Sequence, residues 1–317
     1  MRVLLTGGSG FIGTHLAHAL LERGAEILVI DVVAPQDPLV PFWRQIDILD
    51  ESPFARAYEK FAPTHVVHLA AETEAFTRAF PPDPRFETDF PVNLLGMQSI
   101  IAAASRHTPD RVVVFSTSFI QGFSPDPSIT TPPHTPYGIS KSIMEAAVTS
   151  SGLPWVILRP TYVWGPRNTR FLRLADALAR RLYLHPSGQP VIRSYGSVAT
   201  VVEQALRALT DPRAVGRSLF VGEEPMDSGA VVDALSDELC GRPARRVSRG
   251  VLLALATVAD RVPQVPLDRF RFRHMTTDFV VDMQPTWQIF GPPTTPFEAS
   301  VQEFGAWYRT QRLAGGS

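Results

Sequence analysis

The chain has 317 residues, 44% hydrophobic and 19% charged, which is enough to bury a full core in one large unit or two closely joined domains. A formal charge of -1 excludes a general nucleic-acid binder, whose hold on phosphate needs clustered Lys and Arg, and leaves small molecules as the expected partners. A single cysteine, Cys240, permits no internal disulfide, and no run of about 18 apolar residues exists to span a membrane, so the cytosol is the default compartment.

In chain order, strands are predicted at 3–5, 27–31, 65–69, 112–115 and 155–158, with helices between them at 12–23, 53–61, 91–106 and 137–150. That alternation marks a parallel sheet with crossover helices. The runs 27–30 and 112–115 are apolar throughout, as strands covered on both faces are. The apolar run 3–5 is too short for a signal peptide and reads as a strand. The fold class is therefore α/β with a doubly wound parallel sheet. Beyond Gly165 the rhythm breaks into a helix at 171–184, a short strand at 191–193 and a helix at 198–209, so a smaller α+β region begins there. The proline-rich stretches 81–84 and 124–136 are expected to be surface loops, and 315–317 a frayed tail. The apolar stretch 251–259 is read as a core helix or a dimer face. Arg269, Phe270, Arg271, Phe272 and Arg273 alternate with a period of two, which predicts a strand with a basic face. Cys240 reads as a small buried hydrophobe, and His15 with His18, lacking an acidic or thiol partner nearby, gives no metal site.

Thr6-Gly7-Gly8-Ser9-Gly10-Phe11-Ile12-Gly13 follows the first strand and opens into a helix. Gly7 permits a tight turn, Gly10 lets a pyrophosphate approach the backbone, and Gly13 lets the helix pack on the sheet. The helix N-terminus then offers unpaired N–H groups to the anion. The next apolar strand ends in Asp31, a carboxylate placed to accept from both ribose hydroxyls and to repel a 2'-phosphate, so the expected cofactor is NAD.

Thr135-Pro136 precedes Tyr137-Gly138-Ile139-Ser140-Lys141, and proline suits the first turn of a helix. Tyr137 and Lys141 then share one face. A phenol titrates near 10 and needs a neighbouring cation to exchange protons near neutrality, which Lys141 would supply. The end of the strand at 112–115 delivers Ser116, Thr117 and Ser118, hydroxyls able to hold a substrate oxygen.

Thr6 to Gly13, Asp31, His68-Leu69-Ala70-Ala71, Asn93-Leu94-Leu95-Gly96, Ser116-Thr117, Tyr137 to Lys141, and Arg159-Pro160 through Trp164-Gly165-Pro166 together resemble the extended short-chain dehydrogenase/reductase superfamily, in particular its NAD-dependent epimerase/dehydratase family. The resemblance runs along nearly the whole chain. It implies a Rossmann domain for NAD (1–160 with 193–218) and a substrate-binding domain (161–192 with 219–317), and a homodimer. It further implies that Thr117 and Tyr137 hydrogen-bond the reacting oxygen and that Lys141 also binds the nicotinamide ribose. Phe11 and Ile12 belong to the cradle, Asp47 and Ile48 lie near the adenine, and Leu69, Ala70 and Ala71 line the cofactor. Asn93 orders the site, Ser116 adjoins the cofactor, and Pro160 with Thr161 touches the nicotinamide end. Arg193 matches the position that contacts a substrate diphosphate, a surface or interdomain salt bridge being the other reading, and Arg273 is a second candidate phosphate contact.

The departures narrow the activity. Dehydratases of the family carry an Asp-Glu pair after the catalytic Thr, where this chain has Ser118 and Phe119, so a 4,6-dehydratase is not expected. Tyr162 stands where an Asn is common, and Gln121 replaces the aromatic before Gly122. The expected activity is that of a sugar-nucleotide epimerase working by transient hydride transfer. A ketoreductase or alcohol dehydrogenase acting on a sugar, steroid-like or polyketide substrate is the alternative, and a non-catalytic dinucleotide-binding protein the third.

Overall fold

A computed structural model describes residues 1–36, 38–73, 85–122, 132–133, 135–259 and 269–314. The loops expected at 81–84 and at 124–131, and the tail 315–317, lie outside the described residues.

The first half winds β1 (Arg2–Thr6), α1 (Phe11–Glu22), β2 (Glu26–Asp31), β3 (Trp43–Gln45), α2 (Glu51–Phe61), β4 (His65–His68), α3 (Phe86–Asp89), α4 (Pro91–Arg106), β5 (Arg111–Phe115), α5 (Pro136–Thr149) and β6 (Trp155–Pro160). The second half runs β7 (Tyr162–Trp164), α6 (Thr169–Ala179), β8 (Leu184–Ser187), β9 (Ile192–Arg193), β10 (Tyr195–Ser197), α7 (Val198–Thr210), β11 (Arg217–Val221), β12 (Met226–Asp227), α8 (Ser228–Cys240), β13 (Arg245–Ser248), α9 (Arg249–Ala259), α10 (Arg269–Thr276), α11 (Gln284–Phe290) and α12 (Phe297–Ala314).

Seven strands form one parallel sheet in the order β11-β6-β5-β4-β1-β2-β3. Side chains that alternate along each strand feed two cores. Val3, Leu5 and Val29 pack with Leu16 and Leu20 of α1 and with Val201 and Ala205 of α7 on one face. Leu4, Ile30 and Val66 pack with Phe54 of α2, Met97 and Ile100 of α4, and Met144 and Val148 of α5 on the other. The sheet is thus wound on both sides, and burying each such aliphatic side chain is worth about 1.5–3 kcal/mol. Strand order reverses between β1 and β4, and in open α/β sheets the crevice at the strand ends beside such a reversal is where ligands bind.

Segments β7, α6, β10, α8 and α12 build a third core containing Trp164, Phe171, Leu178, Tyr195, Val231, Leu235, Val301 and Phe304. Three two-stranded pairings, β7 with β10, β8 with β13 and β9 with β12, frame it.

Several expectations change. The helix placed at 171–184 stops at Ala179, because Arg181 takes a left-handed φ of 62° and the chain then enters β8. The alternating run at Arg269 is the helix α10 rather than a strand. No sheet edge pairs with it, so its backbone groups find partners within the helix, and Arg273 and His274 stand in its last turn, where positive charge favours a helix end. Strand β11 continues through the 218/219 division to Val221. Helix α9 buries only Leu252 and Ala256 fully and exposes Val251, Leu253, Leu255 and Val258, so it is not a core helix. Cys240 is half-buried, its Sγ lying 3.7 Å from the Ser236 hydroxyl.

Candidate active site

The glycine-rich loop lies at the C-terminal end of β1. Gly7 has φ 71°, and a Cβ there would stand 2.4 Å from the Ala70 amide nitrogen, so neither conformation nor space admits a side chain. Gly10 is the N-cap of α1 and no side chain caps that end, which leaves the first N–H groups, those of Phe11 and Ile12 among them, for an anion. Asp31 at the end of β2 accepts from Ser9 N (3.0 Å) through Oδ2 and from Val33 N (3.1 Å) through Oδ1, so the carboxylate is fixed beside the loop. Ile48 is buried against Gly96 of α4, and Asp47 caps its own turn by accepting from Leu49 N at 2.9 Å.

From β4 the chain passes through Leu69, Ala70 and Ala71 to Glu72, whose amide donates to Asn93 Oδ1 at 3.1 Å. Asn93, fully buried on α4, donates through Nδ2 to Ser140 Oγ at 3.0 Å, and that hydroxyl donates to the Tyr137 carbonyl at 2.8 Å. The cofactor-side loop and the helix carrying the expected catalytic pair are therefore joined through one buried amide.

Strand β5 is followed directly by Ser116, Thr117 and Ser118, all buried. Thr117 Oγ1 accepts from Phe119 N at 3.2 Å and retains its own proton to donate. Phe119 is buried and stacks on Phe279 with centroids 5.5 Å apart, so the position that carries an acid in dehydratases is here an apolar wedge. Helix α5 presses closely on this turn, since a Cβ on Gly138 would stand 2.1 Å from the Phe119 carbonyl oxygen.

On α5, Tyr137 is 7% exposed and Lys141 1%. Burial pushes the Tyr137 phenol above its ordinary value, and the charge opposing that rise is the Arg170 guanidinium. Lys141 was expected to provide that charge, but its Nζ donates to the Phe115 carbonyl (3.1 Å) and approaches Met144 Sδ (3.6 Å). Burial brings the Lys141 pKa down to about 7, with Glu145 pulling it upward. Glu145 accepts from Arg159 Nε (3.0 Å) and Nη2 (2.6 Å), a two-pronged pair that fastens α5 to β6. His68, fully buried on β4, pairs through Nδ1 with Thr6 Oγ1 at 2.7 Å. Burial first, and then Lys141, hold its pKa near 3, so it is a neutral packing group.

Arg193 is buried on β9 and donates to the carbonyls of His274 (2.5 Å) and Thr277 (3.2 Å), its guanidinium lying over Phe279. Neither expected reading, phosphate contact or salt bridge, describes these contacts, which tie β9 to the end of α10. Arg273 is exposed on α10. Pro160 ends β6 and is buried, and Thr161 donates to the Val221 carbonyl at 3.3 Å, at the C-terminal edge of the sheet.

A model of the NAD dependent epimerase/dehydratase family matches residues 3–222. The chain belongs to that family. Members of this NAD dependent epimerase/dehydratase family are enzymes of the extended short-chain dehydrogenase/reductase type. Similar proteins include the 2-alkyl-3-oxoalkanoate reductase of Stenotrophomonas maltophilia, 27% identical over 92% of this chain and 94% of the relative. Among solved structures, the UDP-glucose 4-epimerase of Thermus thermophilus in complex with NAD is 26% identical with a TM-score of 0.73, covering 98% of this chain and 99% of the other. The WbmG enzyme of Bordetella bronchiseptica, in complex with NAD and UDP, is 25% identical with a TM-score of 0.72, over 97% and 94% of the two chains.

The residues present fit the family's dinucleotide. Besides the bare cradle and the fixed Asp31, buried polar atoms without a hydrogen-bond partner cluster around these strand ends: Ser9 Oγ, His68 Nε2, Glu72 Oε2, Ser116 Oγ and Ser118 Oγ. Such atoms are costly to leave unpaired, so their concentration marks a place built for a polar group.

Two of these features had no signal in motif reading. Glu145 continues the spacing of Tyr137 and Lys141 at every fourth residue, so helical periodicity alone could have flagged it. Arg170 belongs to no motif and reaches the site only through the fold.

Proposed function

We propose that this protein is a sugar-nucleotide epimerase that transfers hydride to and from one carbinol carbon of its substrate, with Thr117, Tyr137 and Lys141 as the catalytic residues. Bound NAD would supply the hydride acceptor. The cradle of Gly7, Gly10, Phe11, Ile12 and Gly13 would hold its pyrophosphate and Asp31 its adenosine ribose, which favours NAD over NADP. Asp47 and Ile48 would face the adenine, while Leu69 to Ala71, Asn93, Ser116, Pro160 and Thr161 would border the rest. Tyr137 takes the carbinol proton through its phenolic oxygen, Thr117 orients the reacting oxygen by donating to it, and Lys141 supports the ribose. The observation that supports this reading is the close packing of α5, which carries the buried Tyr137 and Lys141, on the end of β5 and the turn that carries the buried Thr117. Phe119 stacked on Phe279 argues against elimination chemistry, since no acid stands there.

A second reading, a net ketoreductase, draws on Arg193. Its guanidinium is engaged by backbone carbonyls, which weakens the case for a diphosphate grip. Similarity to the S. maltophilia reductase points the same way. The working form is taken to be a cytoplasmic homodimer, for which exposed Leu95 and Ile143 on the packed helices α4 and α5 offer an apolar face. Light scattering on the purified protein checks the dimer.

The test is to denature the purified protein, identify any released cofactor, and then incubate fresh enzyme with UDP-, dTDP- and GDP-sugars while following products by NMR. Isomerised sugar without net NADH establishes the epimerase. Stoichiometric reduction of added NAD by an alcohol, without isomerisation, moves the assignment to the reductase.

A further inference from the structure

Helix α9 is apolar all round. From Gly250 to Ala259 it holds no charged residue, and its one hydroxyl, that of Thr257, donates back to the Leu253 carbonyl at 2.8 Å. Leu252 and Ala256 are buried against the protein, while Val251, Ala254, Leu255 and Val258 recur at intervals of three and four residues and form an outward stripe. The stripe is not shielded: Val258 is 61% and Val251 51% exposed. A contiguous aliphatic patch of this kind marks a surface that meets a partner. Its surroundings are basic. Residues 241–273 hold eight arginines and two aspartates, in a chain whose formal charge is -1. Arg242 and Arg245 are exposed just before and on β13, Arg271 and Arg273 on α10, and both elements pack against α9. Asp233, on the neighbouring α8, is already paired with Arg246 at 2.5 Å.

We propose that α9 and the arginines around it form a docking surface for an anionic lipid bilayer. The aliphatic stripe enters the boundary between headgroups and acyl chains, and the arginines meet the headgroup phosphates. Attraction of this sort acts over about 8 Å at physiological salt, so the arginines need only border the stripe and not share its face. Contact is peripheral, since among the described residues no helix is long and apolar enough to cross a membrane. The charge decides against a second copy of the chain, because a symmetric pairing through this face would press two arginine clusters together. The composition of the stripe decides against a protein partner: Val, Ala and Leu offer none of the aromatic anchors or directional polar groups on which protein interfaces depend, whereas fluid acyl chains need neither. The surface is also joined to the candidate site. The end of α10 is held by Arg193, and Phe279 beyond it stacks on Phe119, two residues after Thr117. Docking here would bring amphiphilic compounds to that wall of the site, although the docking itself depends on neither reading of the reaction.

The experiment floats the purified full-length protein on density gradients with vesicles of phosphatidylcholine alone, or of phosphatidylcholine and phosphatidylglycerol in equal parts, at low and high salt. Wild type should bind the mixed vesicles roughly tenfold more tightly than the neutral ones and release them as salt rises. Leu255→Glu should weaken that binding by about tenfold or more, because a charge replaces an aliphatic group in the acyl region, and Leu255→Ile should preserve it. Arg242→Gln combined with Arg245→Gln should lose roughly fivefold for each arginine. These side chains are exposed, so the variants should keep the wild-type Tm, which separates lost docking from lost folding. No binding to the mixed vesicles overturns the proposal and leaves the face to an acidic protein. Equal affinity for the two vesicle types overturns it as well, as does binding that Leu255→Glu leaves undiminished, since the contact would then lie elsewhere. A vesicle-free dimer, seen by light scattering, that Leu255→Glu dissolves would overturn it by assigning the stripe to a second copy.

Discussion

At the scale of single residues, the site is governed by what burial does to two ionisable groups. Tyr137 is pushed away from ionisation, so in the role proposed for it the phenol would exchange a proton only with help from charges placed near it. Replacing it with Phe removes the one proton-transferring atom while leaving the cradle intact. We expect kcat/KM to fall by about a thousandfold with NAD binding, followed by protein fluorescence, unchanged. Undiminished turnover would remove the phenol from the mechanism. Lys141 makes a prediction about stability. Its folded pKa of about 7 lies below the ordinary 10.5, so between those values the unfolded chain binds a proton that the folded chain does not. Stability should therefore rise with pH through that window, and the cost of burying the charge is fully present below about pH 7. Lys141→Met should make the cofactor-free protein more stable than wild type near neutrality. The difference should shrink by up to about 1.4 kcal/mol per pH unit toward pH 10, as measured by denaturant titration at several pH values. A pH-independent difference would show that Lys141 stays charged in the fold.

At the scale of elements, the geometry rests on close approaches that side chains would forbid. Helix α5 reaches Thr117 because Gly138 lets its backbone meet the Phe119 carbonyl. Gly138→Ala has nowhere to put its methyl group. It should cost about 1–3 kcal/mol and move Tyr137 relative to Thr117, lowering kcat more than it weakens NAD binding. A variant with normal stability and kcat would mean that the two elements are not so tightly apposed. This scale also explains what could be read from sequence. The cradle, Asp31 and the Tyr137-Lys141 pair were legible because each depends on spacing within one element and its neighbour. Short strands such as β7, β10 and β12 were harder, because strands of two or three residues owe their form to a partner far along the chain. The Phe-Arg alternation at 269–273 misled for the same reason: period two predicts a strand only where a sheet edge exists to receive it. Arg193 matched a motif position, but its direction was set by the carbonyls of α10, which no local pattern discloses.

At the scale of the whole molecule, cofactor binding and folding are linked. The cradle, the 69–73 loop and the ends of β5 and β6 come from distant segments and hold one another only in the folded chain. A ligand that binds only this state stabilises it, by about 2.7 kcal/mol at a hundred times its Kd. NAD should accordingly raise Tm by several degrees, and NADP by less at equal concentration, because Asp31 opposes a 2'-phosphate. Equal shifts from the two dinucleotides would remove Asp31 from the discrimination.

The sheet's outermost strand has a further bearing on how the protein is made. β6 ends at Pro160, but its neighbour β11 begins only at Arg217, after α6 and α7 have been laid down. While the chain is still emerging from the ribosome, β6 is an open edge and the face of α1 that α7 will cover is bare, although the glycine loop was synthesised at the outset. Until Val221 has left the exit tunnel, the nascent protein carries its dinucleotide-binding sequence without the finished scaffold beneath it. The dinucleotide-binding half is therefore expected to finish folding only late in translation, a lag that ribosome-stalled chains ending before and after Val221 would reveal.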